Sequence, residues 1–226
     1  MLPGVSPHRP TPEELAALLL FPLPNAVLFP GTELPLHIFE PRYRAMTERA
    51  LAGSKLILLG RLRPGYEPEY HERPPVFDIA GLGRITRDVR HADGRFDIVL
   101  TGIARVRITA ELPPDEPYRL VRGEVLEDAP SAGSLAIRAW ETKLLELFQG
   151  LRPHLPESVR DLDALAAGAT TPGERIDRLA ASLTADPDAR QRMLEELDPA
   201  ERYCLLVAQL AEFASALSLD TAAPLN

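Results

Sequence analysis

The hydrophobic pattern between residues 21 and 43, FPLPNAVLFPGTELPLHIFEPRY, has a period of two that prolines interrupt. Apolar side chains fall at every second position in two runs, which are Val27 and Phe29, then Leu34, Leu36 and Ile38. Each proline lacks a backbone donor, so neither run extends for more than a few residues. The pattern predicts two short strands, with Pro30 and Gly31 forming the turn between them.

Helical patterns flank this segment on both sides. Upstream, Thr11, Pro12 and Glu14 form a capping pattern that predicts a short helix ending at about Leu20, preceded by a loose arm. Downstream, Pro41 suits the first turn of a helix. The apolar positions that follow it at helical spacing are Tyr43, Met46, Ala50 and Leu51.

A succession of short strands is predicted between residues 56 and 126. The run 56–62 is compact and apolar, 63–75 is a polar, proline-rich loop, and 77–89 and 96–100 form a hairpin around Ala92, Asp93 and Gly94. A turn at Gly102 and a proline-rich turn at 113–117 separate two more strands. Short strands with turns between them are typical of an antiparallel barrel or sandwich.

Beyond Asp128 the apolar positions recur with a helical period. Thr171, Asp186 and Asp198 each precede a proline, which predicts three helix starts. We therefore predict an α+β protein. Its parts are an N-terminal arm and short helix at 1–20, a β-rich domain at 21–127 and a helical domain at 134–219.

The run FPLPNAVLFPGTELPLHIFEPRYRAM resembles the opening signature of the Lon N-terminal (substrate-binding) domain family. Later segments that resemble the family are GLGRI (81–85), DGRFDIVLTG (93–102), PYRLVRGEV (117–125), RIDRLAASL (175–183) and RQRMLEELDPAERYCLL (190–206). The resemblance covers most of residues 20 to 213. It implies a PUA-like β pseudobarrel followed by a small helical domain, as a free-standing member that lacks the ATPase and peptidase domains of the full protease.

Neither catalytic machinery of the full protease is evident in the sequence. Gly53, Ser54 and Lys55 have the wrong order for a phosphate-binding loop. The segment APSAG (129–133) resembles the surroundings of the Lon catalytic serine and nominates Ser131. Its only downstream lysine, Lys143, is too near in sequence to match the family's spacing, so we interpret the segment as an interdomain linker and predict that the chain is not an enzyme.

No cofactor or metal is predicted. Gly81 and Gly83 lack the third glycine of a dinucleotide loop, so close backbone packing explains them better. The histidines are scattered, with no pair at the spacing of metal ligands: His8, His37, His71, His91 and His154. His37 lies on the strand face opposite the core positions, and we interpret it as structural.

Charge and composition narrow the range of partners. The net charge of −8 comes from the second half, because residues 1–126 contain 16 Lys and Arg against 16 Asp and Glu. Nucleic acid, which selects clustered cations, is therefore not expected. Apolar runs are too short to span a bilayer, and the single cysteine, Cys204, cannot form an internal disulfide. These features favour a protein of the cytoplasm.

The resemblance implies a non-catalytic module that binds unfolded or specific protein segments without ATP and serves as an adaptor for a separate ATP-dependent protease. Apolar side chains around an exposed groove would make the contact. The candidate peptide-binding residues are Phe29, Phe39, Tyr43, Tyr66 and Tyr70. The alternative is a small-molecule or RNA-binding protein, since PUA-like folds are known for RNA contact.

Overall fold

The computed structural model describes residues 9–69, 72–130 and 134–221. The chain divides into two compact units, residues 1–127 and residues 128–226. The described part of the first unit holds a mixed sheet with the helices α1 (Pro12–Leu15) and α2 (Pro41–Ala52), and that of the second is helical. The predicted α+β class is confirmed.

The sheet of the first unit closes on itself. Its strands are β1 (Leu18–Leu23), β2 (Glu33–Ile38), β3 (Leu56–Arg61), β4 (Ile79–Arg90), β5 (Phe96–Glu111) and β6 (Arg119–Leu126). They are hydrogen-bonded in the order β2-β5-β4-β3-β1-β6, and β5 also pairs with β6. The first half of β5 pairs with β2 and its second half with β6. Five strands thus form a barrel, and β2 lies at an edge beside the first half of β5.

Strands β1 and β3 are buried on both faces. One core cluster contains Leu18, Leu20, Leu56 and Leu58, and the other contains Leu19, Phe21, Ile57 and Leu59. A strand covered on both faces is apolar throughout and shows no alternation. For this reason the helix predicted to reach Leu20 is wrong: α1 has its capping box at Thr11 but ends at Leu15, and β1 begins at Leu18.

The predicted strand at Val27 and Phe29 is also wrong. Residues 24–32 form an irregular segment that is not part of any ladder of the described strands. Leu28 is 1% exposed and Phe29 is fully buried. The apolar residues of this segment therefore fill the core directly, and their alternation does not reflect a strand ladder.

Glycines let this segment lie against the sheet. A Cβ on Gly81 of β4 would lie 2.0 Å from the carbonyl oxygen of Leu28, and one on Gly102 of β5 would lie 2.1 Å from that of Phe29. The N–H of Gly31 donates to the Gly102 oxygen at 2.9 Å. Close packing thus explains Gly81, as predicted. The turn predicted at Gly102 is wrong, because β5 continues through it.

The described helices of the second unit are α3 (Ser134–Leu151), α4 (Leu162–Leu165), α5 (Pro172–Leu183), α6 (Pro187–Glu195) and α7 (Pro199–Thr221), with 3-10 turns at Arg152–His154 and Glu157–Val159. The last three begin directly after Thr171, Asp186 and Asp198, as the capping residues predict. Buried apolar residues lie on both α3 and α7, which pack together: Ile137, Leu144, Phe148, Tyr203, Leu206 and Leu210.

Removing a helix cap tests whether the capping residues stabilise these helices. The Thr171 hydroxyl accepts a hydrogen bond from the Glu174 N–H at 3.1 Å at the start of α5. Thr171→Ala leaves that donor without its acceptor and should lower the free energy of unfolding by about 1 kcal/mol, measured in urea. Thr171→Ser retains the acceptor and should stay close to wild type. Equal losses in both variants would contradict a capping role.

Candidate functional site

The outward face of β2, β5 and β4 forms a shallow groove of about 570 Å³. Alternation along β2 turns Leu34, Leu36 and Ile38 toward the core and leaves Pro35 and His37 exposed. The sheet register extends this outward face across the strands. We call this surface the outer groove. It has two rows of side chains across β2, β5 and β4: the first is Pro35, Val99 and Arg87, and the second is His37, Asp97 and Val89.

Apolar side chains are prominent around the outer groove. Val89 is 58% exposed, and Phe39, just beyond the end of β2, is 61% exposed. The Phe39 ring stacks on His37, with ring centroids 6.2 Å apart and an interplanar angle of 25°. Clustered exposed apolar residues with polar neighbours are typical of a binding surface. The arrangement suits apolar side chains of a partner.

Strand β2 also offers its backbone. Among the described strands only β5 pairs with β2, so its second edge is open. An open edge presents backbone donors and acceptors that an extended peptide can complete as an added strand. Pro35 interrupts the row of N–H groups, as prolines on edge strands do.

Two histidines and an aspartate meet at one end of the groove. The Nδ1 of His37 lies 2.6 Å from Asp97 Oδ1, and the Nε2 of His91 lies 2.7 Å from Asp97 Oδ2. Hydrogen bonds from His37 and then His91 hold the pKa of the Asp97 carboxyl below its usual value. The expectation that the histidines are scattered is corrected for this pair, because the β2–β5 ladder and the β4–β5 turn bring distant positions together.

The structure separates the candidate residues predicted from the sequence. Phe39 is exposed beside the outer groove, whereas Phe29 is fully buried and cannot meet a partner at the surface. Tyr43 is 4% exposed and packs its ring on Phe21, with centroids 4.5 Å apart. Tyr66 is half-buried in the 63–75 loop, and Tyr70 lies outside the described residues.

Tyr43 also borders a smaller cavity of about 230 Å³ in the first unit. Arg42 lies over the Tyr43 ring, with its guanidinium carbon 4.6 Å from the centroid. Arg119, on the same cavity, is occupied by two hydrogen bonds to Glu111 at 2.8 and 2.7 Å. This cavity is too small to hold a chain segment, and the guanidinium of Arg119 in its lining already binds Glu111.

A larger cleft of about 840 Å³ lies in the helical unit. Its charged residues bind one another: Arg175 contacts Asp163 at 3.0 Å, and the Tyr203 hydroxyl donates to Glu141 at 2.8 Å. Burial, with the bond to Glu141 adding to it, raises the pKa of that hydroxyl. These contacts link α3, α5 and α7, because Arg175 also lies 3.6 Å from Glu141.

Among the described residues, those considered for nucleotide binding do not form a phosphate loop. Gly53 to Lys55 follow the C-terminal end of α2 and lead into β3, whereas a phosphate loop lies at a helix N-terminus, where the dipole attracts anions. Lys143 is exposed on α3. Ser131 lies outside the described residues.

The profile of the ATP-dependent protease La (LON) substrate-binding domain matches residues 17–212. The chain belongs to this family. The Lon match includes the described barrel strands, the outer groove and most of the helical unit. It confirms the resemblance predicted from the sequence. None of the described helices is both long and apolar enough to cross a membrane.

Relatives and solved structures agree with membership of the Lon family. The chain is 28% identical to Lon protease 2 of Myxococcus xanthus over 92% of its length, and 30% identical to the Lon protease of Roseiflexus castenholzii over 87%. It spans 24% of each relative. In fold it is similar to the N-terminal domain of the Mycobacterium avium complex Lon protease, with 20% identity, a TM-score of 0.64 and coverage of 86% of this chain and 98% of that one.

The fold is likewise similar to a Lon N-terminal domain protein from Xanthomonas campestris. That match has 22% identity, a TM-score of 0.55 and coverage of 85% of this chain and 98% of the other. Together these neighbours confirm the barrel followed by helices. Sequence reasoning had missed Val89, His91 and Asp97, because the pairing of β5 with β2 and β4, and the turn between β4 and β5, bring them near His37.

Proposed function

We propose that this chain is a non-catalytic module that captures extended or unfolded protein segments at the outer groove and along the open edge of β2. The exposure of Phe39 just beyond the end of β2, whose second edge is unpaired among the described strands, carries the proposal, and Val89 is exposed on the same face two strands away. It is supported by membership of a substrate-binding domain family. Recognition then needs no bound nucleotide.

In this proposal two kinds of contact hold the segment, which are backbone hydrogen bonds and contacts between apolar side chains. Backbone hydrogen bonds to β2 hold any extended segment whatever its sequence, because every residue except proline offers the same donor and acceptor. Pro35 and Phe39 lie at alternate positions along β2 and just beyond its end, and they favour segments with apolar side chains at alternate positions. Val89 extends the apolar surface across the outer groove. An unfolded protein exposes such segments, whereas a folded one buries them.

In this proposal the chain captures protein segments so that a protease can degrade the proteins that contain them. The curated relatives are proteases about four times as long as this chain, which spans 24% of them. We assign to the chain the recognition step, in the cytoplasm, and to a separate ATP-dependent protease the unfolding and cleavage of what it holds. The charge balance of the first unit favours peptide over nucleic acid as the bound partner.

Peptide binding by wild type and by Phe39→Ser tests the proposal. Wild type should prefer apolar over charged peptides on an array, without ATP. The variant should bind a selected fluorescent apolar peptide at least about fivefold more weakly, because an exposed aromatic anchor contributes more than about 1 kcal/mol. Fluorescence anisotropy measures the difference.

Phe213→Ser is the matched control, since Phe213 is a 42% exposed phenylalanine on α7 of the helical unit. It should bind the peptide like wild type. Equal affinities for Phe39→Ser and wild type, or an array without preference for apolar peptides, would contradict the proposed groove. Salt-sensitive binding of single-stranded RNA without peptide binding would favour the RNA alternative.

A further inference from the structure

We propose that His37, His91 and Asp97 form a binding site for a divalent transition-metal ion, and that zinc is the ion they match best. One ligand atom from each of the three side chains can be chosen so that all three atoms lie within 4.8 Å of one another. The two histidine nitrogens approach different oxygens of the same carboxylate, at 2.6 and 2.7 Å. Ligand atoms of a tetrahedral zinc ion lie roughly 3.3 Å apart, so short side-chain movements would open the space for it.

The backbone holds two of the ligands on neighbouring strands and the third in the turn between β4 and β5. His37 and Asp97 are direct partners in the β2–β5 register. His91 follows β4, and its N–H donates to the Arg95 oxygen at 2.8 Å while its own oxygen accepts from the Gly94 N–H at 2.9 Å. The ligands therefore converge because of the strand pairing and the hydrogen-bonded turn that follows β4.

The donor set is the one that zinc uses. Two imidazole nitrogens and one carboxylate supply three ligands, which leaves a position for water or for a group from a bound chain. The side chains are accessible, since His37 and Asp97 are exposed and His91 is half-buried.

The positive charge of Arg95, next to His37, disfavours the binding of a metal cation. The Nη1 of Arg95 lies 3.4 Å from Nε2 of His37, while its Nε donates to Asp93 at 2.7 Å. A metal on Nδ1 of His37 requires a proton on Nε2, so Arg95 must turn away from the ring. Arg95→Gln removes the positive charge and should strengthen metal binding severalfold.

Zinc titration of the full chain, stripped of metal with a chelator, tests the site by calorimetry. Wild type should bind one equivalent of Zn²⁺ at this site. His37→Ala and His91→Ala should each weaken that binding at least about tenfold, because even supporting residues of metal sites are worth that much. Exposed His154, in the helical unit, provides the matched control, and His154→Ala should leave the affinity unchanged.

Thermal unfolding gives a second measurement that needs no peptide. Zinc should raise the Tm of wild type and His154→Ala more than that of His37→Ala or His91→Ala, because only a folded site binds the ion. Failure of wild type to bind zinc, or binding that is equal in all four proteins, would overturn the proposal. The cluster would then be a hydrogen-bonded clasp between β2 and the β4–β5 turn.

Discussion

Replacing Arg202 with methionine is expected to lower the free energy of unfolding of the helical unit by about 3–5 kcal/mol. Arg202 is fully buried on α7, with Nη1 2.5 Å from Asp177 Oδ1 and Nη2 2.5 Å from Asp128 Oδ1. The side chain of Asp177 is only 2% exposed. Removing the cation leaves that carboxylate buried without the charge that compensates it, which costs more than the packing of methionine returns.

Urea unfolding followed by the fluorescence of Trp140 measures this loss, because the single tryptophan lies on α3 of the same unit. Arg192→Met, on the exposed side of α6, is the matched control and should change the stability by less than about 1 kcal/mol. Arg202→Met combined with Asp177→Leu should recover much of the loss, since no buried charge then remains at that pair. A loss below about 1 kcal/mol for Arg202→Met would contradict the role assigned to the ion pair.

The helical unit is the part of the fold that local sequence signals predict best. A capping residue followed by proline specifies a helix start without reference to distant residues, as at Thr171 and Asp186. Arg202 shows the limit of such signals in the same unit, because nothing near it in the sequence marks it as buried. Its partners Asp128 and Asp177 come from distant positions, so only the packed helices reveal the network.

The barrel shows where local patterns fail. The run at Leu18 to Leu20 gives no period of two, because the strand has a covered face on each side. The opposite error occurs at Val27 and Phe29, where alternation marks burial without strand pairing. Both errors arise from contacts between segments that are far apart in sequence, and a periodicity contains no information about those contacts.

The candidate site was predictable in part. The alternation of β2 correctly places His37 opposite the core positions, and the aromatic residue that follows, Phe39, is exposed. The same reasoning cannot distinguish Phe39 from Phe29, which is buried, because an aromatic side chain suits a groove and a core equally well. Which of the two phenylalanines is exposed depends on how the strands pair. The same pairing brings Val89 and Asp97 to the outer groove.

Gly102→Ala is expected to lower the stability of the barrel by about 3 kcal/mol. A Cβ at this position would lie 2.1 Å from the carbonyl oxygen of Phe29 and 2.9 Å from its carbonyl carbon. Both contacts are with backbone, so a change of rotamer cannot relieve them. Either β5 or the 24–32 segment must move, which would disturb the buried packing of Phe29 and the hydrogen bond from Gly31 to Gly102.

Gly150→Ala, at an exposed position on α3 of the helical unit, is the matched control. A Cβ on Gly150 would meet no atom within 4 Å, and alanine is favoured over glycine inside a helix. Urea unfolding followed by circular dichroism should therefore show a loss for Gly102→Ala that exceeds any loss for Gly150→Ala by at least about 2 kcal/mol. Equal stabilities would mean that the irregular segment can move away from β5 at little cost, and the role assigned to Gly102 as the point of close approach would be wrong.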